Sequence, residues 1–251
     1  MYGSHILKRG DSGPDVEELQ IRLSGFRGTI PDGSFGPGTE LQVTQFQKDF
    51  MGISNPSGMV DKNTYSAIDS FALKYPISFD QLKCPCKVCS GFGRGLFKGV
   101  YYDGKPKVEA YYQYEYPGMH RLTLWALRAI WFYHPNLKFI CTSGYRCSVD
   151  NERTGRTSTN HRGKAVDTDH LSPGQHKEDD MVTCTQIRGK MIEVGGFQLG
   201  WLASNRKSFE PDDIAPTWIH LDSRSFESKY LEDRFFCKSL KDLDNVLPIT
   251  V

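Results

Sequence analysis

Gly33-Ser34-Phe35-Gly36-Pro37-Gly38-Thr39 and its echo Gly58-Met59-Val60-Asp61-Lys62-Asn63-Thr64 share one frame, Gly-x-apolar-x-x-x-Thr. In each copy the glycine suits a turn, and the threonine is placed to cap a following helix. The residues beyond agree with this. Val43, Phe46 and Phe50 follow Thr39 at i, i+3, i+7 spacing, and Ile68 and Phe71 follow Thr64. Upstream, Val16, Leu19 and Leu23 have the same spacing. The frame therefore predicts a small all-α module of three short amphipathic helices joined by glycine-rich turns.

Working outward, the whole chain has 251 residues, 31 Lys+Arg against 30 Asp+Glu, and is 38% hydrophobic. That is a globular composition with room for one large domain or two smaller ones. Balanced charge argues against a nucleic-acid partner, which would need a basic excess to displace counterions from phosphates. No apolar run is long enough to cross a bilayer, and none follows Lys8-Arg9, so neither membrane insertion nor a signal peptide is expected. Seven cysteines, an odd number, with Cys84, Cys86 and Cys89 close together, point to synthesis in a reducing cytoplasm. A monomer is expected.

Leu7-Lys8-Arg9-Gly10-Asp11-Ser12-Gly13, Val16, Leu19-Gln20, Leu23, Asp32 to Gly36, Thr39 and Phe46-Gln47 together resemble the peptidoglycan-binding domain 1 family. The resemblance implies attachment to bacterial peptidoglycan through residues 1–72. The pattern loosens around Tyr75-Pro76-Ile77, which sets a linker at 73–79 and a second domain at 80–251.

In that second domain Leu122, Trp125, Ala129 and Phe132 mark one face of a helix over Arg121 to Tyr133. Leu137 to Cys141 reads as a strand, and Ile187, Met191 and Val194 as a helix closed by Gly195-Gly196. Phe197 to Trp201 and Trp218 to Asp222 are further strands. The mixture, without βαβ alternation, predicts an α+β domain with a mostly antiparallel sheet. Thr159-Asn160-His161-Arg162-Gly163-Lys164-Ala165-Val166-Asp167 puts an imidazole and a carboxylate on either side of a small-residue turn. In Trp218-Ile219-His220-Leu221-Asp222, strand period 2 puts Trp218, His220 and Asp222 on one face. His161, Asp167 and His220 make two imidazoles and one carboxylate. Three such ligands leave the fourth position of a tetrahedral zinc ion open, the catalytic pattern.

The same stretches resemble the M15 zinc peptidases, whose signature Ser/Thr-x-His-x-x-Gly-x-Ala-x-Asp is followed by a Trp-x-His pattern. Ser143-Gly144-Tyr145-Arg146 and the run from Asp80 to Cys89 also fit. The resemblance implies one catalytic Zn2+ held by His161, Asp167 and His220, activating water for attack on a stem-peptide carbonyl. It also implies that Arg146 holds an oxyanion or a substrate carboxylate. Two departures stand out. Only Arg162 separates His161 from Gly163, one residue fewer than in the signature, and Thr217 occupies the place where dipeptidases of the family carry a glutamate base. A base is still needed. Glu210, Asp212 and Asp213 in the preceding loop are candidates, with Asp213 the first choice; Asp222 is either the base or a carboxylate that orients a zinc-bound histidine.

A wall-binding module beside such a domain, with no signal peptide, resembles bacteriophage endolysins, which are made in the host cytoplasm and act on the cell wall. The expected activity is that of an L-alanyl-D-glutamate endopeptidase. The alternatives are a D-alanyl-D-alanine or D-alanyl-diaminopimelate peptidase, or an inactive zinc-containing wall binder. Cys84, Cys86 and Cys89 are either three ligands of a structural zinc with no evident fourth or free buried thiols. Cys141 and Cys147 would pair only with Cα atoms within about 7 Å.

Overall fold

A computed structural model describes residues 3, 5–27, 30–94, 115–156, 160–171, 177–200, 207–223 and 227–245. The chain opens with α1 (Pro14–Arg22), α2 (Pro37–Asp49) and α3 (Lys62–Lys74). The repeated frame does start α2 and α3, but its threonines are not the caps. Gly36 precedes Pro37, whose fixed φ suits a first helical position, and Asp61 caps α3 by accepting from the Thr64 N–H at 2.8 Å. Thr39 and Thr64 are instead buried partners of a glutamine from the preceding helix.

Gln20 Nε2 donates to Thr39 Oγ1 (2.9 Å) and the Ser34 carbonyl (3.0 Å), while its Oε1 accepts from the Gly33 N–H (2.9 Å). Gln47 does the same one repeat later, with Thr64 Oγ1 (3.1 Å), the Met59 carbonyl (2.7 Å) and the Gly58 N–H (3.0 Å). A buried amide thus satisfies loop groups that would otherwise lie unpaired in the core. Phe35 and Val60, the apolar members of the frame, are buried beside them.

The larger part is α+β. Its helices are α4 (Phe79–Leu82), α5 (Arg121–Tyr133), α6 (Ser148–Thr154), α7 (Lys177–Gly195) and α8 (Leu240–Asp244). Met119–His120 (β1) pairs with Phe236–Cys237 (β7). The main sheet comprises β2 (Lys138–Ser143), β3 (Ala165–Leu171), β4 (Gln198–Leu199), β5 (Ser208–Phe209) and β6 (Ile219–Asp222). Its order is β2-β3-β6-β5-β4, antiparallel except between β4 and β5. The strand expected at Phe197 to Trp201 is confined to Gln198–Leu199; Trp201, and Thr159 of the histidine motif, lie outside the described residues.

α5 has more than the one apolar face that its sequence spacing predicts: every residue from Arg121 to Ile130 is buried. The reason is that it packs between the N-terminal helices and the sheet. Gly25 meets it so closely that an added Cβ would stand 2.1 Å from Ala129 Cβ, leaving room only for hydrogen. Phe71 stacks on Trp125, and Phe26 and Phe50 meet Phe132. Glu18 takes a two-pronged hydrogen bond from Arg121 (2.8 and 2.6 Å) and another from Arg22 (2.7 Å), all largely out of water. Burial would raise the Glu18 pKa, but the two guanidinium groups outweigh it and hold the carboxyl below its ordinary value. Losing one partner of such a pair costs about 3–5 kcal/mol. The segment expected to be a linker is packed as well. α3 runs to Lys74, the Tyr75 carbonyl accepts from Arg128 Nε at 3.0 Å, and Ile77 is buried.

Candidate functional site

Strand register builds the site. β3 and β6 run antiparallel with Asp167 opposite His220 and Ala165 opposite Asp222. Directly opposed residues hold their Cβ atoms about 4.5–5.5 Å apart, so the Asp167 and His220 side chains meet. His161 arrives from the turn before β3. Gly163, at φ 122, is required there: an added Cβ would stand 2.5 Å from the Gly118 carbonyl oxygen. The shortened turn is pinned from outside by the Tyr116 N–H on the Arg162 carbonyl (3.1 Å) and the His120 N–H on the Gly163 carbonyl (2.7 Å).

The result is a convergent set. His161 Nε2 lies 3.3 Å from Asp167 Oδ2, and His220 Nδ1 lies 2.7 Å from Asp167 Oδ1. Ligands about 2.0–2.1 Å from a tetrahedral zinc ion stand roughly 3.3 Å apart; the His161–Asp167 spacing matches this, and the His220–Asp167 hydrogen bond has to open by a few tenths of an ångström to admit an ion. The remaining ring nitrogens are engaged elsewhere. His161 Nδ1 is 2.8 Å from the Gly144 carbonyl, to which it donates, leaving Nε2 as the lone-pair nitrogen; that buried Nε2 has no hydrogen-bond partner among the described residues. His220 Nε2 is 3.1 Å from Asp222 Oδ2, which leaves Nδ1 as the nitrogen facing Asp167. Such outer partners fix the tautomer and ring orientation of metal-binding histidines. The donor set therefore fits a zinc ion.

Electrostatics follow from the same contacts. Burial would raise the Asp167 pKa, but the two imidazoles facing it, His161 and His220, hold it far below the carboxylate range. Burial would lower His220, yet its hydrogen bonds to Asp167 and Asp222, and their charges, push it up to about 10. Burial holds His161 below its ordinary value against the pull of Asp167. Without a metal, a neutral His161 and a charged His220 share one carboxylate.

Among the candidate bases, the fold brings forward Glu210 and not Asp213. Asp213 is exposed in a turn and has no hydrogen bond or ion pair with the cluster. Asp212 is also exposed and pairs with Arg188. Glu210 directly follows β5 and neighbours His220 across the sheet; its N–H donates to the His220 carbonyl (3.3 Å), and its carbonyl accepts from Arg188 Nε (2.9 Å). Its Oε1 lies 4.0 Å from His220 Nε2. Glu210 and Asp167, each with a side chain 18% exposed, form the solvent edge of an otherwise buried cluster. Chain order offers Glu210 only as one of three loop carboxylates, with Asp213 preferred, because the β5–β6 pairing that sets Glu210 beside His220 is not displayed there; the one local signal is a carboxylate directly after an apolar strand residue, Phe209.

Arg146 is buried, its Nε has no hydrogen-bond partner among the described residues, and its N–H donates to the His161 carbonyl at 2.7 Å. Burial lowers its pKa, while Asp167 and Glu210 lie close enough to oppose that shift. Asp222, one of the two roles foreseen for it, stands behind His220 as an orienting acceptor. Cys84, Cys86 and Cys89 gather around a fourth thiol, Cys147, instead of the Cys141–Cys147 pairing considered from the sequence; all seven cysteines are free.

Residues 12–68 match the family described as "Putative peptidoglycan binding domain". The N-terminal part is thus a cell-wall-binding module, peptidoglycan is its partner, and the function of the chain is cell-wall-associated. A solved structure, that of the SleB N-terminal domain, is similar to this chain at 33% identity over 28% of this chain and 96% of that one, with a TM-score of 0.26. Among the described residues no helix is long and apolar enough to cross a membrane.

Proposed function

We propose that this chain is a zinc-dependent peptidoglycan hydrolase that cleaves a stem-peptide amide bond. The observation that carries the reading is the assignment of ring nitrogens: His161 Nε2 and His220 Nδ1 converge on Asp167 while Gly144 and Asp222 occupy the opposite nitrogens. A zinc ion held by that set supplies Lewis-acid activation of water toward a peptide carbonyl. The chain's own groups do the rest. Glu210 accepts the proton from water at its carboxylate and returns it to the leaving amine. Arg146 offers N–H donors to the negative charge that develops on the carbonyl oxygen, or to a stem-peptide carboxylate. The N-terminal module keeps the enzyme on its polymer. The bond is that between L-alanine and D-glutamate, by the resemblance to the M15 peptidases; D-alanyl peptidase activity is the second reading.

The test uses purified sacculi and the full chain. Chelation should abolish loss of turbidity, and zinc should restore it. Mass spectrometry of the released muropeptides should then show stems that begin at D-glutamate. Equal activity of metal-free and zinc-loaded protein, or lysis with no new amino groups, would exclude this function; cleavage after D-alanine would select the second reading.

A further inference from the structure

We propose that Cys84, Cys86, Cys89 and Cys147 bind a second zinc ion in a closed, structural site separate from the candidate catalytic one. One sulfur from each residue lies within 4.8 Å of the other three, and Cys86 Sγ is 3.5 Å from Cys147 Sγ. With zinc–sulfur bonds of about 2.3 Å, a tetrahedral site places its sulfurs roughly 3.8 Å apart, so a small inward adjustment encloses an ion. A disulfide would join one pair at about 2.05 Å and leave the other two thiols without a role in the same cluster.

Burial pushes the Cys84 and Cys147 thiols up, and backbone N–H groups aimed at the cluster work the other way, towards thiolates. Val88 and Cys89 direct their N–H groups at Cys86 Sγ (3.3 and 3.2 Å), Gly91 N–H points at Cys89 Sγ (3.3 Å), and Cys147 N–H at Cys84 Sγ (3.4 Å). Hydrogen bonds to the charged form favour it. The first two require a tight reversal between Cys86 and Cys89, and Lys87 accepts a left-handed backbone (φ 60) to make it, which is uncommon for a residue with a side chain. Cys84 N–H closes the loop on the Gly91 carbonyl at 2.8 Å. Four thiolates around Zn2+ leave a net charge of −2, and two guanidinium groups lie within electrostatic reach of the sulfurs: Arg153 of Cys84 and Cys86, Arg162 of Cys147. Cys84, Cys86 and Cys147 are buried and Cys89 is partly so, which leaves no open ligand position, as a structural site requires. An all-sulfur tetrahedral set suits zinc or iron; zinc is the assignment, and bound iron is the outcome that overturns it.

The ion's effect would be to clamp two distant stretches. Cys147 directly follows Arg146, whose N–H holds the His161 carbonyl, and lies three residues from Gly144, whose carbonyl holds His161 Nδ1. On the other side, Tyr145 N–H donates to the Leu82 carbonyl (2.8 Å), just before the cysteine loop. The sulfur site thus braces the segment that orients His161.

The experiment is metal analysis of the full chain and two variants. The wild-type chain should carry two zinc ions, Cys147→Ser one and His220→Ala one. Cobalt exchange separates the two sites: sulfur-to-cobalt charge transfer in the near ultraviolet should appear in the wild type, persist in His220→Ala and vanish in Cys147→Ser. If Cys147→Ser does not fold, the cobalt spectrum of the wild type and of His220→Ala still decides. A wild-type chain without thiolate charge transfer, seven freely titrating thiols in the native metal-loaded protein, a mass lower by two hydrogens from a disulfide, or bound iron in place of zinc would each overturn the assignment. Loss of zinc in His220→Ala with the sulfur signal intact keeps this outcome independent of whether the first site is catalytic.

Discussion

The N-terminal module secures its loops twice in the same way, whereas the candidate site in the larger part uses each of its residues once. Gln20 and Gln47 are equivalent latches, each meeting the Gly-x-apolar-x-x-x-Thr frame that follows it in the chain. His161, Asp167, Glu210, His220 and Asp222 come from a turn, two paired strands and the end of a third, and no other described residue duplicates any of them. Repetition lets one latch fail while the other still holds its own turn. A converging site has no such reserve, and its geometry depends on contacts made far along the chain.

This contrast can be broken or sharpened by substitution, and the largest effect belongs to Glu210. Glu210→Gln should keep stoichiometric zinc and lower the lysis rate by about 10²–10⁴-fold, the usual contribution of a positioned base; Asp213→Asn should leave both within twofold. Metal analysis beside turbidity loss checks this, and a slow Asp213→Asn with an unaffected Glu210→Gln would reverse the assignment. Next comes Asp222→Asn. Because Asp222 orients His220 from behind, the substitution should weaken zinc affinity by roughly 10–100-fold, measured by competition with a chelator, with activity restored at high zinc.

In the module the cost should appear as stability. Gln47→Ala removes the partner of the Gly58 N–H and the Met59 carbonyl, and should destabilise the chain by about 1–3 kcal/mol in urea unfolding. Gln20→Ala should cost a similar amount for the same reason, and clearly unequal values would mean that the two latches are not equivalent. The smallest effect at any one pH step is a pH slope. His220 is raised from its ordinary 6.5 to about 10 in the metal-free protein, so its contribution to stability is complete below about pH 6.5 and is lost as pH rises through 10. Zinc must displace that proton. Apparent affinity should therefore rise about tenfold per pH unit between 7 and 9, with one proton released per ion, readable by calorimetry in buffers of different ionisation enthalpy. No proton release would show that His220 is neutral before the metal binds.

How far the sequence could be read follows from how local each feature is. Arg121–Tyr133 and the three N-terminal helices have a 3.6-residue pattern that a short window displays, and their bounds were legible to within a few residues. The ring and carboxylate of His161 and Asp167 sit in one short motif, and period 2 put His220 and Asp222 on one strand face. Glu210 was visible only as one of several acidic residues in a loop, because strand register, which chain order does not display, is what sets it beside His220. Cys147 was hidden for the same reason: its three partners lie far upstream. The caps were misassigned because the threonines that mark the repeat receive a glutamine, a contact that spacing toward the following helix does not reveal.

The burial of α5 has a mechanical consequence. A wall-binding module on a slack tether lets its companion sweep a sphere of positions, and reach is then governed by tether length. Here Gly25 against Ala129 and Glu18 between Arg22 and Arg121 weld the module to the helix that also underlies the sheet. The module acts as a mount with a fixed bearing. Wherever it lands on peptidoglycan, the cluster around Asp167 is then held at a set distance and angle from that point.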